Sequence, residues 1–282
     1  MPQSISDGAL SWQRLAVVNK HPRDDQISFE ESTHTYSIDG QAKGWISCTT
    51  VISNLYKHFD ADLIIKKMRS NAQKFATGPY YGKTDEEIKA GWNANGTVAS
   101  EAGTRMHLDI EHYYNADPVG NLAGDSYEPC ESPEWEMFLK YQQKIGSKFI
   151  PFRTEWLVWD KSVMIAGSID MVYRKPDGTL AIYDWKRAKE IKTTNDYDKM
   201  LGPVSHLPDT NYWHYSLQLN IYRRILQTCY NEIVSELALV ILHPNNPTYQ
   251  VLRLNLMDDE VEAIFESRRS AVEQGSATPL IF

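Results

Sequence analysis

Gly167-Ser168-Ile169-Asp170 and Asp184-Trp185-Lys186-Arg187 place two aspartates and a lysine on either side of Pro176-Asp177-Gly178. That tripeptide fits a three-residue hairpin loop, because proline pre-sets φ and glycine takes the left-handed position beside a bulge. With this loop, Asp170 faces Asp184 across two antiparallel strands. Residues so opposed hold their Cβ atoms ~4.5–5.5 Å apart. Lys186, two positions beyond Asp184, falls on the same face. Adjacent carboxylates repel each other, and a divalent cation removes that penalty. Oxygen ligands of this kind suit Mg²⁺ or Mn²⁺. A neighbouring ammonium can then orient a water or stabilise charge on a phosphate. A solvated strand face would also carry Asp-x-Lys, and a one-residue slip would scatter the three groups.

Upstream, His107 and Glu111 are one helical turn apart and share a face. A neutral imidazole is a competent metal ligand, whereas an exposed glutamate needs no special role. His107 and His112 do not have the i, i+4 spacing of a zinc-protease helix, so that class is set aside. Glu155, on the strand before the hairpin, either faces the metal or stands behind its ligands. Gln218 and Tyr222 are again one turn apart on a later helix.

These pieces occur in a recognisable order. Gly103-Thr104-Arg105-Met106-His107, the two hairpin segments and Gln218-Leu219-Asn220-Ile221-Tyr222 resemble the motifs of the RecB-like branch of the PD-(D/E)XK nucleases. The mitochondrial genome maintenance exonucleases and the RecB-type nucleases of phages and large DNA viruses are similar. The resemblance implies a restriction-endonuclease-like α/β core and metal-dependent hydrolysis of DNA phosphodiester bonds. It implies that His107, Asp170, Asp184 and the Trp185 carbonyl bind Mg²⁺ or Mn²⁺, with Lys186 acting on the nucleophile. Glu111 and Glu155 then support the ligands, Arg187 contacts DNA, and Gln218 and Tyr222 hold the DNA backbone and brace Lys186, unless Tyr222 simply packs its helix into the core. Three scattered cysteines (Cys48, Cys130, Cys229) cannot supply the iron–sulfur cluster of some relatives. No Walker lysine motif occurs, so no nucleotide cofactor is expected and any helicase activity belongs to a partner. An endonuclease and a catalytically silent nucleic-acid-binding subunit are the alternatives.

The elements that must position these groups follow from periodicity. Residues 34–38 read as a strand entering a turn at Asp39-Gly40, and Ser47-Cys48-Thr49-Thr50 caps a helix near Val51. Helical patterning continues to Lys74. Thr84–Glu87 opens another helix, and a longer one spans Val98–Asn115. Asp117–Pro133 reads as a loop, and Glu134–Gly146 as a helix with Pro133 at its start. Segments 152–159, 163–174 and 180–186 alternate as strands. A helix (210–229), two strands (234–243, 249–256) and a final helix (258–274) complete a mixed sheet flanked by helices. Residues 1–97 are expected to form a helical substrate-entry region and 98–282 the nuclease core. In that entry region Lys66, Lys67 and Arg69 would track phosphates while Phe75, Tyr80, Tyr81 and Trp92 stack on unpaired bases, which favours single-stranded DNA; the alternative is aromatics in a core and lysines on a solvated face.

Composition sets the outer limits. With 282 residues, 42% hydrophobic and 23% charged, the chain can bury a substantial core. No apolar run approaches the ~18–20 residues that span a bilayer, and the N-terminus lacks a signal-peptide pattern. An intracellular protein with no membrane association is expected. The net charge of −8 argues against coating of nucleic acid, but cations gather between Lys57 and Lys74 and after Asp184, so a local phosphate-binding surface remains open.

Overall fold

The computed structural model describes residues 13–116 and 127–275, so much of the expected Asp117–Pro133 loop lies outside the described residues. A short helix α1 (Arg14–Val18) precedes an antiparallel ribbon of β1 (Ile27–Glu30) and β2 (Thr35–Ile38), closed by left-handed Asp39 and Gly40. A two-residue strand β3 (Ile46–Ser47) runs straight into α2 (Cys48–Ser53). The Ser47 hydroxyl accepts from the Thr50 N–H at 2.9 Å, the cap read from the sequence, although the helix starts at Cys48 rather than near Val51.

The helices α3 (Ala61–Ser70) and α4 (Ala72–Ala76) start from side-chain caps at Asp60 and Asn71. The two helices expected from Thr84 and from Val98 are one, α5 (Asp85–Asn115), 31 residues long. Gly91, Gly96 and Gly103 each weaken a helix by about 1 kcal/mol relative to alanine, but none breaks it. The expected boundary at 97/98 therefore falls inside a continuous helix. The chain divides instead into one unit made of Met1–Tyr56 with Met106–Phe282 and a second, Lys57–Arg105. The described residues from 13 to 56 are not a helical extension, since they contribute a strand to the central sheet.

Beyond α6 (Pro133–Lys144), capped by Ser132, come β4 (Ile150–Asp160), β5 (Ile165–Arg174) and β6 (Leu180–Lys186). Then follow α7 (Asn211–Cys229), β7 (Val234–Ile241), β8 (Gln250–Arg253) and α8 (Asp258–Glu273). The β5–β6 hairpin has the expected register, from Arg174↔Leu180 to Met171↔Tyr183, with Gly178 at φ 84° in its loop. The mixed sheet is ordered β3-β5-β6-β7-β8, with β4 antiparallel to β5 along its whole length. One face buries Ile169, Val172, Ile182 and Leu239 against α2, α7 and α8. The other buries Met171, Tyr173, Tyr183 and Trp185 against α6 and the C-terminal part of α5. This is an α/β fold with a central mixed sheet between helical layers.

Because β4 occupies one edge of β5, β6 and β3 share the other. β6 pairs with residues 171–174 and β3 with 165–166, which leaves a fork between them. Alternation along β5 also breaks there: Ile165 and Ile169 turn to the α7 side, Met171 and Tyr173 to the α6 side. Asp170 sits at that break.

Candidate active site

Glu155, Asp170 and Asp184 occupy successive cross-strand positions on β4, β5 and β6. Thr154↔Met171 and Trp156↔Ile169 bracket the first pair, and the second follows Met171↔Tyr183. The direct opposition expected for Asp170 and Asp184 is modified by the fork. Where the ladder would continue, the Asp170 carboxylate accepts the Trp185 N–H at 3.1 Å. Glu155 has φ 42°, a conformation that costs a non-glycine residue ~1–3 kcal/mol. Its Oε2 accepts from the Ser168 hydroxyl at 2.8 Å.

From α5, His107 reaches the same place. Its Nε2–H donates to the Trp185 carbonyl at 2.9 Å, which turns Nδ1 toward Asp170 Oδ2 (3.5 Å) and Glu155 Oε1 (4.0 Å). His107, Glu155 and Asp170 thus form a group able to hold a metal ion. One sequence expectation changes as a result, and another is narrowed. The Trp185 carbonyl, expected as a metal ligand, is engaged by His107, because the ring lies closer to it than to either carboxylate. Glu155, read as either facing the metal or standing behind its ligands, lies in the group able to hold an ion.

Asp184 is buried and forms an ion pair with Lys186, whose Nζ is 2.6 Å from Oδ2. The ammonium also lies 4.8 Å from the ring centroid of Tyr215 on α7, a cation–π contact that the sequence did not reveal.

The electrostatics describe an excess of negative charge. Burial raises the Asp170 carboxyl, with Glu155 adding to the rise while His107 and Lys186 oppose it. Burial and then Asp170 push Asp184 up to about 6, despite Lys186. Burial and then Glu155 bring Glu111 to about 7. Burial alone would lower His107, but Asp170 and Glu155 outweigh it and carry its pKa to about 9. For Lys186, Asp184 and Asp170 overcome the effect of burial and hold the pKa above the ordinary lysine value, so it remains an ammonium. Four carboxylates against one lysine and one histidine fit a hard divalent cation.

Other expected residues are placed differently. Tyr222 is buried in the core, so it does not contact a DNA backbone. Its ring lies against Gly167, where an added Cβ would come within 2.7 Å. Gln218 is half-buried and its amide reaches the Tyr222 hydroxyl at 3.4 Å, which makes it a support for that ring. The Arg187 Nε donates to Glu134 at 2.7 Å, tying the end of β6 to α6 rather than standing free for phosphate. Lys66, Lys67 and Arg69 belong to the helical unit. The two lysines are exposed, whereas Arg69 donates to Asp85 at 2.8 Å and to the Lys83 carbonyl at 2.9 Å. Trp92 donates to the Tyr80 hydroxyl at 2.8 Å, so these two aromatics pack on each other.

No family model matches the chain, and no curated protein matches it. Among solved structures it is similar to a crystal structure named "Putative exonuclease" from Eubacterium rectale. The two share 12% identity at a TM-score of 0.39, over 84% of each chain. Among the described residues, no helix is long and apolar enough to cross a membrane.

Proposed function

We propose that this protein is a metal-dependent deoxyribonuclease of the PD-(D/E)XK type, acting as an exonuclease on single-stranded DNA in replication, repair or recombination. The row of Glu155, Asp170 and Asp184 at the fork of the sheet, with His107 and Lys186 beside it, supports this reading. His107 through Nδ1, with the carboxylates of Glu155, Asp170 and Asp184, would hold Mg²⁺ or Mn²⁺. The imidazole favours Mn²⁺. Such an ion polarises a phosphoryl oxygen and lowers the pKa of bound water.

The chain's own residues do the rest. Lys186, beside Asp184 and the Tyr215 ring, would place a positive charge at a phosphate oxygen or act on the attacking water. Asp170 accepts the Trp185 N–H and His107 donates to the Trp185 carbonyl, which fixes the strand that carries Asp184 and Lys186. In-line attack by water breaks the phosphorus–oxygen bond to the 3′ oxygen and leaves a 5′-phosphate.

The test uses end-labelled single- and double-stranded DNA with Mg²⁺ or Mn²⁺, each with an EDTA control. A metal-dependent ladder from one end of the single strand is expected. Internal cuts, or equal rates on a linear strand and a closed circle, would replace the exonuclease with an endonuclease. Gel retardation without cleavage would remove hydrolysis altogether.

A further inference from the structure

The helical unit Lys57–Arg105 contains a cavity of about 600 Å³, within the ~300–1,000 Å³ span of small-ligand sites. Ile64, Met68, Phe75 and Tyr80 contribute its apolar and aromatic lining, and Lys67 and Lys74 its charge. Both rings are held independently of any ligand. The Arg69 guanidinium lies 4.6 Å from the Phe75 ring centroid and is itself fixed by Asp85 and the Lys83 carbonyl. Tyr80 accepts from Trp92 and meets its ring edge-on, at 5.7 Å between centroids. Lys67 and Lys74 are exposed, and neither forms an ion pair with a described carboxylate. Between Lys57 and Lys83 there are six Lys or Arg and two Asp, in a chain with 29 basic and 37 acidic residues. Unpartnered cations beside fixed aromatic rings match a ligand with a planar ring and flanking negative charge.

We propose that this cavity receives one unpaired nucleobase of a single strand, stacked on Phe75 and Tyr80, with the adjoining phosphates on Lys67 and Lys74. This rests on the nucleic-acid reading above but does not require cleavage. A base held in a duplex cannot enter, so the cavity selects single strands by access. Base–aromatic stacking accepts any base, and sequence preference should be weak.

Binding by the full chain in EDTA separates this proposal from the catalytic one, because no hydrolysis is needed. Fluorescein-labelled oligothymidylate, an abasic deoxyribose-phosphate oligomer of equal length and a duplex are compared by anisotropy. The base-bearing single strand should bind about tenfold or more tightly than the abasic oligomer and the duplex. Phe75→Leu and Tyr80→Leu should each shrink that preference, with helix content checked by circular dichroism. The double variant Lys67→Ala/Lys74→Ala should weaken binding and reduce the salt slope by roughly 1.4, at about 0.7 per single-strand phosphate contact. Equal affinity for the abasic oligomer, or an undiminished preference in both aromatic variants, overturns the assignment. Free thymidine monophosphate binding as tightly as the strand overturns it too, by making the cavity a nucleotide site.

Discussion

Replacing Gly167 by alanine tests the packing that holds the site. An alanine Cβ would stand 2.7 Å from Tyr222 Cε1, 2.8 Å from its hydroxyl and 3.1 Å from Cζ. Carbon atoms pack best at ~3.5–4.0 Å, so the overlap is roughly 1 Å. Neither partner moves away easily. Gly167 pairs with Val158 inside the sheet, and Tyr222 is buried among α7 core residues. Overpacking of this kind costs about 1–3 kcal/mol. Tyr222→Leu alone should cost about 2–4 kcal/mol through the cavity it leaves. In the double variant that cavity accepts the new methyl group, so the loss should fall short of the sum by about 1 kcal/mol or more. Urea unfolding of the four proteins measures the cycle. A cost below about 0.5 kcal/mol for Gly167→Ala, or strict additivity, would refute the contact.

The charged groups give further expectations. His107 has its pKa raised to about 9 from 6.5, so its contribution to stability is complete below pH 6.5 and is lost as pH rises through 9. The metal-free melting temperature should fall across that window while the Mn²⁺-induced shift grows; a flat profile in both contradicts the placement of His107 against Asp170. Glu155→Gln removes one of the mutually repelling carboxylates, so the metal-free protein should melt higher and respond less to Mn²⁺. A wild-type response would place Glu155 outside the ligand group. Asp184→Asn should lose both cleavage and metal-induced thermal stabilisation, whereas Lys186→Ala should lose cleavage and keep most of the stabilisation, as read by thermal shift and end-labelled DNA.

The hairpin register was legible because Pro176-Asp177-Gly178 admits few loops, and the loop sets every pair behind it. The shared face of His107 and Glu111 was legible for a similar reason, since helical spacing is fixed. What escaped the sequence depends on where chains part. β3 has only two residues, too few for any periodicity, yet it takes the edge of β5 that β6 abandons. That departure frees the Trp185 N–H for Asp170, beside Glu155 with its left-handed backbone in the group able to hold an ion. The pairing of Arg187 with Glu134 and the ring of Tyr215 under Lys186 join residues far apart in sequence, with no local signal for either.

The motif pieces divide into two kinds once their contacts are known. Gly167 and Tyr222 are a single packing contact, and His107 and Asp170 both hold the Trp185 backbone. These account for the order of the motifs along the chain by folding alone, and a silent scaffold would need them as much as an enzyme. Glu155, Asp184 and Lys186 are different. The first adopts a strained backbone, and the second is a buried carboxylate that burial drives toward protonation. The third is an ammonium that burial disfavours, kept charged by its acidic neighbours. An apolar residue at Asp184 would leave Lys186 without its partner, and apolar replacement of both would relieve the desolvation cost that each carries. A purely structural fork has no use for that arrangement, whereas a divalent cation and a phosphate do, and this weighs toward the enzyme over the silent binding domain.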